Sequence, residues 1–176
     1  MLLQSKTWLI VVGLSLLGIL SHLVPHDMGV STVGAIGMLA SAYLTRRLLM
    51  WPILATVFVV DAIHGFYALL AMSFVYLAHV LAAFAVKPIL GSVTLKAVVG
   101  AGIVSAVTFY VVSNLTPIAM GYYPMSLDGW ITCYVNGLPF LFRGVLANVV
   151  FGAAFFGVIW IVRESFAHRI AASQRN

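Results

Sequence analysis

Residues Asn114 to Asn148 read NLTPIAMGYYPMSLDGWITCYVNGLPFLFRGVLAN. This segment interrupts a chain that is otherwise apolar almost throughout. It holds the only cysteine, Cys133, and three of the six prolines. It also carries Tyr122, Tyr123, Asp128, Trp130, Tyr134, Asn136 and Arg143. A polar, aromatic segment rich in helix breakers between two apolar helices reads as irregular backbone within a membrane. Such backbone survives there only where protein or a water-filled cavity satisfies its polar groups. The segment is therefore expected to form the lid and one wall of a small-molecule site.

The chain around it is 63% hydrophobic and 7% charged over 176 residues, with a mean hydropathy of +1.12. A soluble domain of that size cannot hide so much apolar surface. Long apolar runs broken by short polar turns predict an all-α integral membrane protein, a single transmembrane domain over residues 1–176. One cysteine excludes an internal disulfide and a multi-cysteine zinc site. The net charge of +5 fits basic cytoplasmic loops better than a nucleic-acid surface. Residues 1–24 resemble a signal peptide in having Lys6 before an apolar run. That run exceeds a signal core and no small-residue cleavage pattern follows it, so it is expected to stay as the first helix.

Taken in order, six helices are predicted. The first runs Thr7 to Val24 and ends at Pro25, with His22, His26 and Asp27 at the outer surface. The second, Val30 to Thr45, has a face of Gly34, Ala35, Gly37, Ala40 and Ser41 that lets helices approach closely, within this chain or against a partner. Arg46 and Arg47 end it. The third, Leu48 to His64, carries Asp61 about 20 Å along its axis from Leu48, and His64 shares its face. Gly65 turns the chain into a fourth helix, Phe66 to Val86, with Tyr76 and His79 in its inner half. The fifth runs Ala97 to Ser113. Helical character resumes near Leu127 after a Gly121 to Pro124 turn, and Gly137 and Pro139 are expected to bend or break that last helix. Lys6, Arg46, Arg47, Lys87, Lys96, Arg163, Arg169 and Arg175 then all fall at one end and only Arg143 at the other, which places both termini in the cytoplasm.

With that topology, Asp61, His64, Asn114, Tyr123, Asp128, Cys133, Tyr134, Asn136 and Arg143 crowd toward the outer face and are the expected binding residues. Asp61 is expected to pair with His64 or Arg143, or to serve a substrate, since an acid within a membrane needs a partner. Arg143 also suits a substrate carboxylate or phosphate. The chain has no phosphate-binding loop of the P-loop or dinucleotide type, and no spacing calls for a resident cofactor or metal.

Two blocks carry a resemblance. Val33 to Tyr67 has a small-residue helix, a basic turn, a proline-bearing helix and an Asp-x-x-x-Gly end, Asp61 and Gly65. Asn114 to Gly157 has Tyr123-Pro124, Gly129 before Cys133-Tyr134, Pro139-Phe140 and Phe156-Gly157. Together they resemble an uncharacterised family of small bacterial membrane proteins assigned to transport. That family in turn looks like the substrate-binding S subunits of energy-coupling-factor (ECF) vitamin transporters. The resemblance implies six helices, an outward pocket, residence in the bacterial inner membrane, and uptake of a vitamin or cofactor precursor, a corrinoid among them. It also implies an ATPase coupling module as partner. That module docks on paired alanines four apart in helix 1, where this chain has Gly13, Ser15, Gly18 and Ser21, so a solitary transporter is expected. Two other classes stay open. One is a small membrane enzyme using Cys133 or the Asp61/His64 pair. The other is an assembly subunit docking through the second helix.

Overall fold

A computed structural model describes residues 2–24 and 30–173, with side chains over 7–24 and 30–167. Pro25, His26 and Asp27 lie outside the described residues, as do the side chains of Lys6 and Arg169 and the whole of Arg175. Among the described residues the fold is all helical: α1 (Leu2–His22), α2 (Val33–Tyr43), α3 (Met50–His64), α4 (Leu69–Val86), α5 (Leu95–Ser113), α6 (Leu115–Ala119) and α7 (Leu127–Ser173), with one 3-10 turn at Ile89–Gly91. Two turns depend on glycine. Gly65 closes α3 at φ 102° and Gly121 follows α6 at φ 76°, a region where a side chain would meet its own backbone.

Three stretches are long and apolar enough to cross a membrane: Leu69–Val86, Leu95–Ala119 and Leu127–Ala167. The helical parts of the first three predicted spans are shorter apolar helices. At 1.5 Å per residue, α2 covers only about 16 Å and α3 about 22 Å, against a hydrocarbon layer of about 30 Å. The last helix does not break at Gly137 and Pro139. Pro139 lies inside α7, and the helix continues through it without a break. Proline removes one N–H and one hydrogen bond, at a cost of about 3 kcal/mol. In a 47-residue helix packed along α2 and α5, the bonds on either side and the side-chain packing outweigh that loss.

The molecule is built around α2, which touches α1, α3, α4, α5 and α7. Its residues from Ala35 to Ser41 are all buried, so its small-residue face packs within this chain. Ser41 Oγ donates toward both the Gly37 carbonyl (2.7 Å) and the Ala83 carbonyl of α4 (2.6 Å). Close approach repeats elsewhere. A Cβ on Gly34 would come within 2.1 Å of Asn148 Oδ1 on α7, and one on Gly18 within 2.4 Å of Thr56 Oγ1 on α3. Between these contacts lie two apolar clusters, one about Leu49, Ile53 and Ala40 and one about Met38, Val86 and Phe156. The C-terminal end of α2 is closed from outside the helix. Lys87 Nζ donates to the carbonyls of Ser41 (2.9 Å) and Leu44 (2.7 Å), meeting acceptors that a helix end leaves open. Burial, and then the nearby charge of Arg46, lower the pKa of Lys87.

The outer surface is apolar. Leu9, Leu69, Leu127 and Phe142 are each at least 70% exposed, and Trp8, Trp51 and Trp160 are exposed with them. Apolar surface on this scale marks contact with other protein or with lipid.

Candidate functional site

A cavity of about 660 Å³ lies among α1, α3, α4, α5, α7 and the start of α2 with the residues that lead into it. Its apolar wall includes Val57 and Val60 of α3, Val75 of α4, Phe109 of α5, and Phe140 and Leu141 of α7. Its polar wall includes His22, Asp61, His79, Tyr110, Asn114 and Asn148. Gly137 and Gly144 of α7 both line it, and open space lies at Gly144. A Cβ on Gly144 would meet only the Ala106 Cβ, at 3.9 Å.

Asp61 stands one turn before the end of α3, where the Gly65 N–H closes the helix on the Asp61 carbonyl (2.8 Å). Its side chain is half-buried, and Oδ2 accepts a hydrogen bond from Tyr76 of α4 (2.8 Å). The partner is thus a neutral hydroxyl, in place of the expected His64 or Arg143. Tyr76 therefore sits level with Asp61 rather than in an inner half. The offset arises because α4 begins at Leu69 and not at Phe66, so its residues lie nearer the turn that joins it to α3 than residue counting implied. His79, three residues on from Tyr76, shares its face of α4 and packs its ring on Phe109 at 4.3 Å between centroids. Tyr67, in the linker between α3 and α4, also lines the cavity. Burial first, then the Asp61 charge, raise its pKa.

Asn114 lies where α5 passes into α6. Its Nδ2 donates to the Tyr110 carbonyl (2.8 Å), and its own carbonyl accepts from Cys133 Sγ (3.4 Å). Gly137 closes the same joint, since a Cβ there would fall 2.6 Å from Asn114 Oδ1. Cys133 is buried, and both hydrogen bonds seen for its thiol run to Asn114 rather than to a histidine.

Of the nine residues expected to bind, Asp61 and Asn114 line the cavity and the other seven do not. His64 Nδ1 lies 2.9 Å from the Val60 carbonyl of its own helix, and its ring meets the edge of His22 at 6.4 Å. Tyr134 donates to the Val111 carbonyl (2.8 Å) and accepts from Tyr110 through its backbone oxygen. Asn136 Nδ2 donates to the Tyr123 hydroxyl (3.2 Å), tying the turn before α7 to that helix. Asp128 is exposed in the first turn of α7, where a carboxylate complements the helix dipole. Arg143 is exposed on α7. Of the segment expected to form the lid and one wall, residues 115–136 stay off the wall, while Asn114, Gly137, Phe140, Leu141, Gly144 and Asn148 line it.

Tyr67, His79, Ser105 and Tyr110 join the polar wall beyond the sequence reading, and His22 and Asn148, which that reading placed toward the same face, line it too. One signal for His79 was present: Tyr76 and His79 are spaced three apart, on a helix that follows the Asp61 turn. Among the described residues the arrangement sets one carboxylate and two imidazoles among hydroxyls and amides in a largely apolar chamber. That suits capture of a partly apolar molecule by a few placed polar groups. Among the described residues no three His, Cys, Asp or Glu side chains converge on a point that a metal could occupy.

A family model described as a family of unknown function (DUF6580) matches residues 3–171. No curated protein and no solved structure matches the chain.

Proposed function

Since the chain belongs to the DUF6580 family, whose description carries no activity, we propose its role from its own geometry: a multi-pass membrane protein that binds a small molecule in the α1/α3/α4/α5/α7 cavity and takes it up. The observation that carries this reading is the 660 Å³ chamber, with Asp61 and Asn114 in its wall. A chamber of that size falls within the range that holds vitamin-sized ligands.

The membrane reading rests on the three spanning-length helices and on the apolar exterior. In this reading all six apolar segments sit in the bacterial inner membrane with both termini in the cytoplasm. The short α2 is shielded by its neighbours. Its C-terminal end gathers Lys87 on the Ser41 and Leu44 carbonyls and Arg163 over the Tyr43 ring at 5.2 Å. Basic residues collected at one end are the expected mark of the cytoplasmic face. The likeness to the vitamin-binding S subunits rests on the two sequence blocks. The missing alanine pair in α1 favours a carrier that works without a coupling ATPase.

Mass spectrometry of small molecules extracted from the purified chain tests the reading directly. Gly144→Phe fills the chamber from α7, so co-purifying ligand and uptake should fall at least tenfold while the fold survives. Full uptake by a folded Gly144→Phe variant would refute the cavity as the site. Cys133→Ser separates the enzyme alternative. Uptake should persist in that variant, because the hydroxyl still donates to the Asn114 carbonyl.

A further inference from the structure

Charge in the chamber is one-sided. Among the described residues, Asp61 is the single carboxylate in its wall, and no lysine or arginine lines it. Arg143 is the only basic residue outside the runs assigned to the opposite end. It is exposed on α7 and does not reach the wall. The one hydrogen bond seen at the Asp61 carboxylate comes from a neutral phenol, Tyr76. A carboxylate in apolar surroundings is costly unless a positive charge compensates it. Among the described residues, the group seen to bond that carboxylate is a dipole, the Tyr76 hydroxyl. Aromatic rings line the same space: Phe109 with His79 packed on it, and Tyr67, Tyr110 and Phe140. The faces of such rings attract a cation within about 6 Å. A metal ion would call for several hard or imidazole ligands at one point, and no such group converges among the described residues. The charge is therefore to be met by something larger and softer.

We infer that the chamber selects an organic cation, an apolar molecule carrying one amine or quaternary ammonium group, with Asp61 as its counter-ion and the surrounding rings on its apolar body. This rests on the cavity reading above and names the ligand class that the reading leaves open. Asp61 has a binding role here; Tyr76 is a positioning residue that holds the carboxylate toward the chamber.

The test uses the full chain in nanodiscs at pH 8, where imidazoles with ordinary pKa values are neutral. Empty nanodiscs correct for partition into lipid. Three probes of similar shape are titrated: benzyltrimethylammonium, its uncharged carbon isostere neopentylbenzene, and phenylacetate. The wild-type chain should bind the cation at least tenfold tighter than the isostere, and phenylacetate weakest. Asp61→Asn should lose at least tenfold in affinity for the cation and change less than twofold for the isostere. Asp61→Glu should keep the preference for the cation. Equal binding of cation and isostere by the wild type overturns the inference and leaves the cavity reading standing. Tightest binding of phenylacetate, or an undiminished cation preference in Asp61→Asn, overturns it as well. Failure of all three probes to bind overturns both. If Asp61→Asn does not fold, the wild-type ratio and Asp61→Glu decide the matter.

Discussion

Single glycines in this chain do opposite things, and the difference is measurable. Gly34 has no room: a Cβ would sit 2.1 Å from Asn148 Oδ1, on a residue that is itself buried and bonded toward the Gly102 carbonyl. Gly144 faces the chamber, and its nearest neighbour to a new Cβ lies at 3.9 Å. Gly34→Ala should therefore destabilise the chain by about 1–3 kcal/mol, the usual cost of overpacking. Gly144→Ala should be neutral or slightly stabilising, because alanine favours the helix that Gly144 weakens by about 1 kcal/mol. Thermal unfolding of the two variants in detergent checks this, and equal melting temperatures would contradict the packing described for α2 against α7. The pairing of Asp61 with Tyr76 makes a second residue-scale prediction. Tyr76→Phe removes the one hydroxyl seen to bond that carboxylate. Ligand affinity should fall severalfold, with a smaller loss than Asp61→Asn produces. A binding titration on the two variants side by side ranks them, and an unchanged affinity in Tyr76→Phe would remove its positioning role.

At the scale of elements, α2 is the piece on which the others depend. It is 11 residues long, too short to stand alone in water or in lipid, and its stability comes from five neighbouring helices. Its C-terminal end depends on Lys87, which arrives from the far end of α4. That ammonium answers two open carbonyls at the negative end of the helix dipole. Lys87→Met keeps the aliphatic stem and removes the donors. Charged hydrogen bonds of this kind contribute about 1.5–3 kcal/mol each, and a partly open site delivers less. The variant should lose on the order of 2 kcal/mol in chemical unfolding. Lys87→Arg should recover part of that loss, and no loss in Lys87→Met would mean that water caps α2 equally well. The continuity of α7 through Pro139 belongs to this scale too. Local propensity argued for a bend or a break, and with packing along α2 and α5 the helix does not break.

For the whole molecule, the topology is open to a direct check. Cys133 is 2% exposed, so the native chain should be nearly silent to thiol reagents. Met125, before α7, is 78% exposed, and Ser92, between α4 and α5, is exposed at the opposite end. In spheroplasts, Met125→Cys should react with a membrane-impermeant maleimide, and Ser92→Cys should react only after lysis; the reverse pattern would invert the proposed orientation. Much of this layout was readable in one dimension. Apolar runs, the Gly65 and Gly121 turns and the asymmetry of basic residues are properties of neighbours along the chain, and they predicted helices whose centres were nearly right. The site was not readable in that way. Asp61 meets Tyr76, Cys133 meets Asn114 and not a histidine, and α7 lines the chamber with Gly137, Phe140, Leu141, Gly144 and Asn148 but not with Arg143. Those outcomes turn on the rotation and axial level of each helix against its neighbours. A helix turns 100° with each residue, so a start point displaced by three residues moves a side chain to another level and another face. Composition is blind to such a shift; only the packing of small residues between helices resolves it.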